Sequence, residues 1–373
     1  MTSTTESNKA VATRFIEAFN TDDWATVREV VASDFVFHHP DGGTVGAGPE
    51  GMVAAWQGFK SAVPDAWHPI PILIAEGDFV ANLLPTYGHF TGEAYHGIPP
   101  TGEWIEYGMV NIARLRDGQL VEAWFGMDSL AEKQQMGAAP MWPPRQLTHV
   151  EDLNIELFHM TVNRAELEYD NVTAFGDVVV ALGPPQHAVD AKVRTLDIYR
   201  VDDDFEALVA SHEFPTIPPY GGSLSSDTAA GRAVVDRLYR EVLAAHNLDA
   251  FAAVVSPDVL IHPTAMPCEA GYYGMRGAGR WLIGQWEAFP DLAVDAMFMV
   301  AHGDIVVVRW QARGTSKGSF MMLPPTDQPI EFAGTSMYRI EDGQIAEVWE
   351  ARDTLGLLRQ LNPGIGGAEG HGH

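Results

Sequence analysis

The chain has 373 residues, with 23 Lys and Arg against 50 Asp and Glu and a formal net charge of −27 at pH 7. A field of that sign repels phosphate backbones and anionic lipid, which excludes nucleic acid and membrane surfaces as partners. Hydrophobic residues make up 46% and aromatics 10%, enough for packed cores, and the length suits two or three domains.

The opening MTSTTESNKA holds no apolar signal core. No apolar run reaches the roughly 18 residues of a membrane-spanning helix. The single cysteine, Cys268, permits no internal disulfide. Together these features predict a soluble cytoplasmic protein.

Residues 10–19 carry apolar side chains at helical spacing and end at Asn20-Thr21-Asp22. A short helix over 24–32 leads into a strand ending at His38, and a third helix covers 51–62. Three or four strands follow, turning at Asp117-Gly118, a hairpin signal. Proline clusters at 140–144 and 215–219 bracket a middle segment. The helix-then-strand pattern then returns with helices over 233–243, 248–255 and 277–289 and a hairpin at Asp342-Gly343.

That return is a duplication. Trp124 and Asp128 recur as Trp349 and Asp353 at one common offset. Within a residue or two, the same shift carries Pro64-Asp65 to Pro290-Asp291 and Gly77-Asp78 to Gly303-Asp304. It also carries Gly88 and Gly92 to Gly314 and Gly318, and Pro99-Pro100-Thr101 to Pro324-Pro325-Thr326. His38, four residues after Asp34, meets His262 after Asp258. The predicted domains are 8–140 and 225–362. Between them, 141–224 is a degenerate half repeat that keeps strands at 175–180 and 196–203 but loses the Trp and Asp. A Gly- and His-rich tail over 363–373 is expected to be disordered. Helices early and strands late in each copy predict an α+β fold, a curved antiparallel sheet over helices.

The last strands suggest chemistry. Alternation places Glu347, Trp349, Ala351 and Asp353 on one face, and Glu122, Trp124, Gly126 and Asp128 on the equivalent face of copy one. A carboxylate beside an aromatic on a concave face makes a pocket wall, where desolvation raises its pKa toward neutral. The competing reading makes each Asp a helix cap and each Trp core. His262, and His38 or His39, end strands where they could pair with the aspartates as proton shuttles. Tyr87, His89 and His96 add polar groups to copy one. Arg309 in the second copy could hold an enolate or carboxylate oxygen, or sit as a solvated charge; its counterpart is Leu83. The stretch from Gly46 to Gly51 matches G-x-G-x-x-G without a βαβ unit, no set of metal ligands assembles, and Cys268 has no local activation. Neither metal nor cofactor is expected.

The order Asp-x-x-x-His, Pro-Asp, Gly-Asp, Gly-Thr-x-x-Gly, Pro-Pro-Thr, Tyr-Arg-x-x-Asp-Gly and Val-Trp-x-x-x-Asp-x-x-Gly-Leu-Leu-x-Gln-Leu resembles the SnoaL-like polyketide cyclases. That family belongs to the nuclear transport factor 2-like superfamily. The resemblance covers 8–137 and about 230–362 and implies tandem cone-shaped α+β barrels with a partial third repeat between them. It implies cofactor-free aldol chemistry with a last-strand Asp as acid and base, a role falling on Asp353 and Asp128. Pocket histidines would be His262 and His38 or His39, with Trp349, Trp124, Arg309, Tyr87, His89 and His96 lining the substrate. Copy one departs from the terminal Gly-Leu-Leu-x-Gln-Leu, and copy two has Thr315-Ser316-Lys317 where many relatives have Thr-His, the place of a second pocket histidine. The expected activity is aldol cyclisation, dehydration or isomerisation of a hydrophobic carbonyl compound. The alternative is a non-catalytic small-molecule binder or assembly protein. Single-domain relatives dimerise through their sheets, so an internal pseudo-dimer is expected, with a homodimer of whole chains as a further option.

Overall fold

In the computed structural model the described residues are 4–39, 48–137, 153, 155, the strand segments 171–175, 178–182, 186–188, 191–200 and 208–214, then 228–263, 272–321 and 323–363. Cys268, Gly46-Ala47, both proline clusters and the tail from Gly364 lie outside the described residues.

Copy one runs α1 (Thr4–Asn20), α2 (Trp24–Val30), β1 (Val31–His38), α3 (Gly48–Ala62), β2 (Ile72–Glu76), β3 (Phe79–Leu83), β4 (Thr86–His89), β5 (Trp104–Tyr107), β6 (Val110–Arg116), β7 (Gln119–Trp124) and α4 (Ser129–Gln135). The middle strands are β8 (Asn171–Phe175), β9 (Val178–Leu182), β10 (Gln186–Ala188), β11 (Ala191–Arg200) and β12 (Leu208–Phe214). Copy two runs α5 (Thr228–Arg237), α6 (Leu248–Val254), β13 (Val255–Pro263), β14 (Tyr272–Tyr273), α7 (Gly274–Ala288), β15 (Ala293–His302), β16 (Ile305–Thr315), β17 (Pro329–Glu341), β18 (Gln344–Arg352) and α8 (Thr354–Leu361). A π-helical segment, Leu238–Leu243, continues α5.

Local chemistry explains most boundaries. Asp23 caps α2 by accepting from Thr26 N, and Asn247 caps α6 by accepting from Asp249 N and Ala250 N. Both Asp-Gly pairs take positive φ at both residues, 54° and 79° at Asp117-Gly118 and 50° and 75° at Asp342-Gly343. That is the twist a two-residue hairpin needs. Gly92 and Gly318 explain the second glycine of the Gly-Thr-x-x-Gly spacing. A Cβ at Gly92 would lie 1.9 Å from Ser61 O, and one at Gly318 would lie 2.1 Å from Glu287 O. Their backbone amides instead donate to Ala62 O and Ala288 O, both at 2.9 Å, where each third helix ends.

The sheets are open and curved, so each copy is a cone rather than a closed barrel. Copy one has the order β1-β7-β6-β3-β2 and copy two β14-β13-β18-β17-β16-β15, with β4-β5 a separate ribbon. The sheets are not wholly antiparallel, because β1 pairs β7 and β13 pairs β18 in parallel. The chain reaches those strands through helices, which permits a parallel return. The middle strands form a sheet of their own, β10-β11-β9-β8 with β12 beside β11. Its path β8-β9-β11-β12 repeats the β2-β3-β6-β7 order of copy one.

The main sheet of each copy is covered on both faces. One is covered by its own helices. The other packs against the opposite copy, where Ile72, Ile74, Leu83 and Ile112 meet Val307, Met337 and Trp349. Trp124 stands edge-on to Phe298 at 4.9 Å in the same layer. Glu76 crosses the boundary as well, accepting from Ala301 N at 2.9 Å and pairing with Arg232.

Candidate active site

The alternation along β7 and β18 holds, but the face carrying the tryptophans is the one between the copies. Trp349 is 3% exposed inside the interdomain layer, and Trp124 packs beside it. This corrects the expectation that they wall a substrate pocket. Strand period identifies two faces without saying which is concave, and here the second copy supplies apolar cover for the outer one.

Of the histidines expected to pair with aspartates, His262 and His38 sit on that same outer face and pair with glutamates. His262 Nε2 lies 2.8 Å from Glu347 Oε1, with its ring stacked 5.4 Å from Trp349. His38 repeats this with Glu122 at 3.0 Å and Trp124 at 5.3 Å. Burial pushes the Glu347 carboxyl up, but the bonds and charges of His262 and Arg339 outweigh it and leave the carboxyl below its usual value. In register His262 faces Trp349, four residues short of Asp353, so the two backbones stand about 13 Å apart along the strand.

The aspartates are caps. Asp353 accepts from Gly356 N at 2.8 Å at the start of α8, and Asp128 accepts from Leu130 N at 2.9 Å at the start of α4. The cap reading holds and the shuttle pairing does not. Asp128 is 1% exposed and also accepts from the Thr354 hydroxyl of the other copy. Burial pushes its carboxyl up to about 6, opposed by the Thr354 and Leu130 bonds and by Arg352, with Asp353 adding to the rise. Arg309 sits nearby on the outer face, its NH1 3.4 Å from Thr335 Oγ1. Burial lowers its pKa against the charge of Asp353, so it is not a solvated charge.

The remaining candidates scatter. Tyr87 is buried between Trp67 and Trp104. His89 Nδ1 lies 2.7 Å from Asp65 Oδ2. The Pro-Asp motif thus clamps a later strand, β4, as Asp291 clamps the end of β16 through Thr315 N and Oγ1. His39 and His96 line a cavity in copy one.

The helix-covered face of copy two holds groups that periodicity did not select. Val348, Glu350 and Arg352 of β18 point there, with Trp310 of β16 and Tyr338 of β17, into a void of about 80 Å³. The side chain of Glu350 is 12% exposed. Burial pushes its carboxyl up, against the Arg352 charge and the Ser336 bond. Ser336 Oγ lies 3.4 Å from Glu350 Oε2 and accepts from Trp310 Nε1 at 2.9 Å. Arg352 lies 4.0 Å from Glu350, donates to Gln285 and covers the Trp281 ring at 5.4 Å. The hydroxyls of Tyr239 and Tyr338 are 3.1 Å apart, both phenols raised by burial. Few features of the sequence mark Glu350, since β18 carries acids on both faces. Its clearest signal is a carboxylate between Val348 and an arginine on an otherwise apolar row.

Among the described residues no group of three or more His, Cys, Asp and Glu could hold a metal ion. No helix there is long and apolar enough to cross a membrane.

Two open α+β cones in tandem, each with a cavity between sheet and helices, define a duplicated nuclear transport factor 2-like architecture. Residues 9–136 and 233–361 each match the SnoaL-like polyketide cyclase family, and the chain belongs to it. Among solved structures it is similar to IdmH of Streptomyces antibioticus, at 31% identity over 35% of this chain and 98% of that one, TM-score 0.32. It is also similar to TsrD of Streptomyces laurentii, at 27% identity over 36% and 96%, TM-score 0.33. A SnoaL-like polyketide cyclase of Agrobacterium tumefaciens aligns at 24% identity over 35% and 97%, TM-score 0.30. No curated protein matches the chain.

Proposed function

We propose that this chain is a cofactor-independent acid/base enzyme acting on a hydrophobic carbonyl compound, with Glu350 as the group that takes and returns the proton. The observation that carries the reading is the raised carboxyl of Glu350 among Val348, Trp310, Tyr338 and Tyr239 in the cone of copy two. A carboxylate held above its ordinary range is a competent base near neutral pH, and its protonated form a competent acid. Membership of the cyclase family supports the same class of chemistry.

In this reading Glu350 removes a proton α to the carbonyl and the electron pair moves onto the carbonyl oxygen. Of the paired phenols, the one that accepts from its neighbour directs its own O–H at that oxygen and stabilises the enolate. The enolate carbon then attacks a second carbonyl, whose new alkoxide takes the proton back from the Glu350 acid; or the enolate expels a β-hydroxyl that leaves as water with that proton; or, where a double bond is conjugated with the enolate, the Glu350 acid returns the proton at the γ carbon. A void of about 80 Å³ suits the reacting end of a substrate. The mutual covering of the two sheets supports an internal pseudo-dimer that rigidifies both cones.

The test is α-proton exchange of phenylacetone in deuterated water, followed by proton NMR. Glu350→Gln is expected to lower the rate by about 10²–10⁴-fold, the usual worth of a positioned acid or base. Asp353→Asn keeps a cap acceptor and should keep the rate. Full activity in Glu350→Gln, or its loss in Asp353→Asn, would overturn the assignment.

A further inference from the structure

Two buried opposite charges stand apart in copy two. Glu350 and Arg352 lie two positions apart on β18 and share its helix-covered face, where an arginine ordinarily closes on a carboxylate to about 2.8 Å. Their side chains are 12% and 11% exposed, yet Arg352 Nε stops 4.0 Å from Glu350 Oε1. Helix α7 supplies the reason. Arg352 Nη1 donates to Gln285 Oε1 at 3.0 Å, and the guanidinium covers the Trp281 ring at 5.4 Å. Trp281 and Gln285 are one helical turn apart, so a single face of α7 provides both the stack and the acceptor.

Copy one shows that the fold does not need this arrangement. Helices α3 and α7 both start at a glycine with a φ of 70°, and both run 15 residues. Both end where a carbonyl accepts from the Gly92 or Gly318 amide. The alignment this fixes places Trp281 on Ala55 and Gln285 on Phe59. The β-ladders align Met337–Trp349 with Ile112–Trp124, which places Glu350 on Phe125 and Arg352 on Met127. Carboxylate, arginine, amide and indole are thus exchanged together for apolar side chains, and the helix still packs on its sheet. The stack and the acceptor serve the charges and not the packing.

We infer that Gln285 and Trp281 are positioning residues for the proposed reaction: they hold Arg352 off Glu350, so that the carboxylate acts as a base instead of being tied into a contact ion pair. The inference rests on the reading of Glu350 as the proton-transfer group. A contact pair would favour the charged form and weaken the hold on a proton. At 4.0 Å the arginine opposes burial without overcoming it, and the carboxyl stays raised. The other titratable groups lining the void are Tyr239 on the π-helical segment and Tyr338 on β17, phenols that burial raises and keeps neutral at physiological pH. Among the described residues lining the void, Arg352 therefore carries the charge that sets the proton affinity of Glu350. Its charge also opposes the effect of burial at Asp128 of copy one.

The experiment titrates the Glu350 carboxyl directly, by carbon NMR of the full chain labelled at its glutamate side-chain carboxyls. The Glu350 signal is the one missing from Glu350→Gln. Gln285→Met keeps the size of the side chain without the acceptor, frees Arg352 to close on Glu350, and should lower the titration midpoint by about one pH unit or more. The midpoint of phenylacetone exchange should fall with it, to a slower plateau at high pH. Arg352→Met should move both midpoints up, and adding Gln285→Met to Arg352→Met should change nothing further. Thermal melts verify each fold. Trp281→Phe offers the guanidinium a smaller face, should shift the midpoint the same way by less, and decides alone should Gln285→Met melt early. A midpoint that stays put or rises in the folded variants, or a Gln285→Met drop that persists without Arg352, would overturn the inference. Exchange that persists in Glu350→Gln, with the carboxyl titrating as expected in the other variants, would refute Glu350 as the base and leave the hold on Arg352 standing.

Discussion

Asp128 joins the two copies, and its replacement by asparagine should stabilise the protein at neutral pH. The carboxyl is buried, pushed up to about 6 from 3.8, and bonded to Leu130 N and the Thr354 hydroxyl. For an acid whose folded pKa lies above its unfolded value, the native state binds the extra proton. Its contribution to stability therefore falls as pH rises from about 3.8 to about 6. At roughly 1.4 kcal/mol per pH unit the whole effect amounts to about 3 kcal/mol. Of this, about 1 kcal/mol is already present at pH 4.5, so the advantage of Asp128→Asn should grow by about 2 kcal/mol between pH 4.5 and 7.5. Asparagine keeps an oxygen for Leu130 N and can meet the Thr354 hydroxyl with its amide, so the cap survives. Urea unfolding of both proteins at the two pH values reads the difference directly, provided the slope m is shared. A gap that stays flat or shrinks with rising pH would refute the buried-carboxyl reasoning. Loss of phenylacetone exchange in Asp128→Asn would refute the assignment of this residue as a cap.

Removing the other partner should act in the opposite direction. Thr354→Val leaves the Asp128 carboxyl short of a donor in a buried site and should destabilise by about 1–3 kcal/mol in urea unfolding. Glu347→Gln weakens the bonds to His262 and Arg339, with an expected loss of about 1–3 kcal/mol at neutral pH. Because the folded Glu347 carboxyl lies below its usual 4.5, that stability is present above pH 4.5 and fades as pH falls through the folded value. The variant and wild-type curves should therefore converge in acid. Gly318→Ala forces a Cβ toward Glu287 O, and a melting experiment should read a loss of about 1–3 kcal/mol.

The fold was legible because its signals are local. Asp117-Gly118 and Asp342-Gly343 state their hairpins through backbone conformation, and the repeated Gly92 and Gly318 mark one crossing over a helix end. The terminal glutamine was visible as a motif, and its reason is structural. Gln360 bonds Glu331 N and O, and Gln135 does the same with Glu106. The site was less legible. Alternation along β18 separated Glu347, Trp349 and Asp353 from Val348, Glu350 and Arg352, but only the packing of the second copy decides that the first row faces a sheet. Trp349 resembles a pocket wall in sequence because an interdomain core and a ligand cavity favour the same residues. The Gln285–Arg352 contact was hidden for another reason: its members sit on a helix and a strand 67 positions apart, with no shared period.

The pH dependence of phenylacetone exchange, measured for wild type and Glu350→Gln, bears most directly on the acid/base role of Glu350. Burial holds this carboxyl above its ordinary range, so the wild-type rate should rise with pH through a single raised apparent pKa, while the glutamine variant stays low and flat. The same rise in both proteins would show that another group carries the proton and would remove Glu350 from the mechanism.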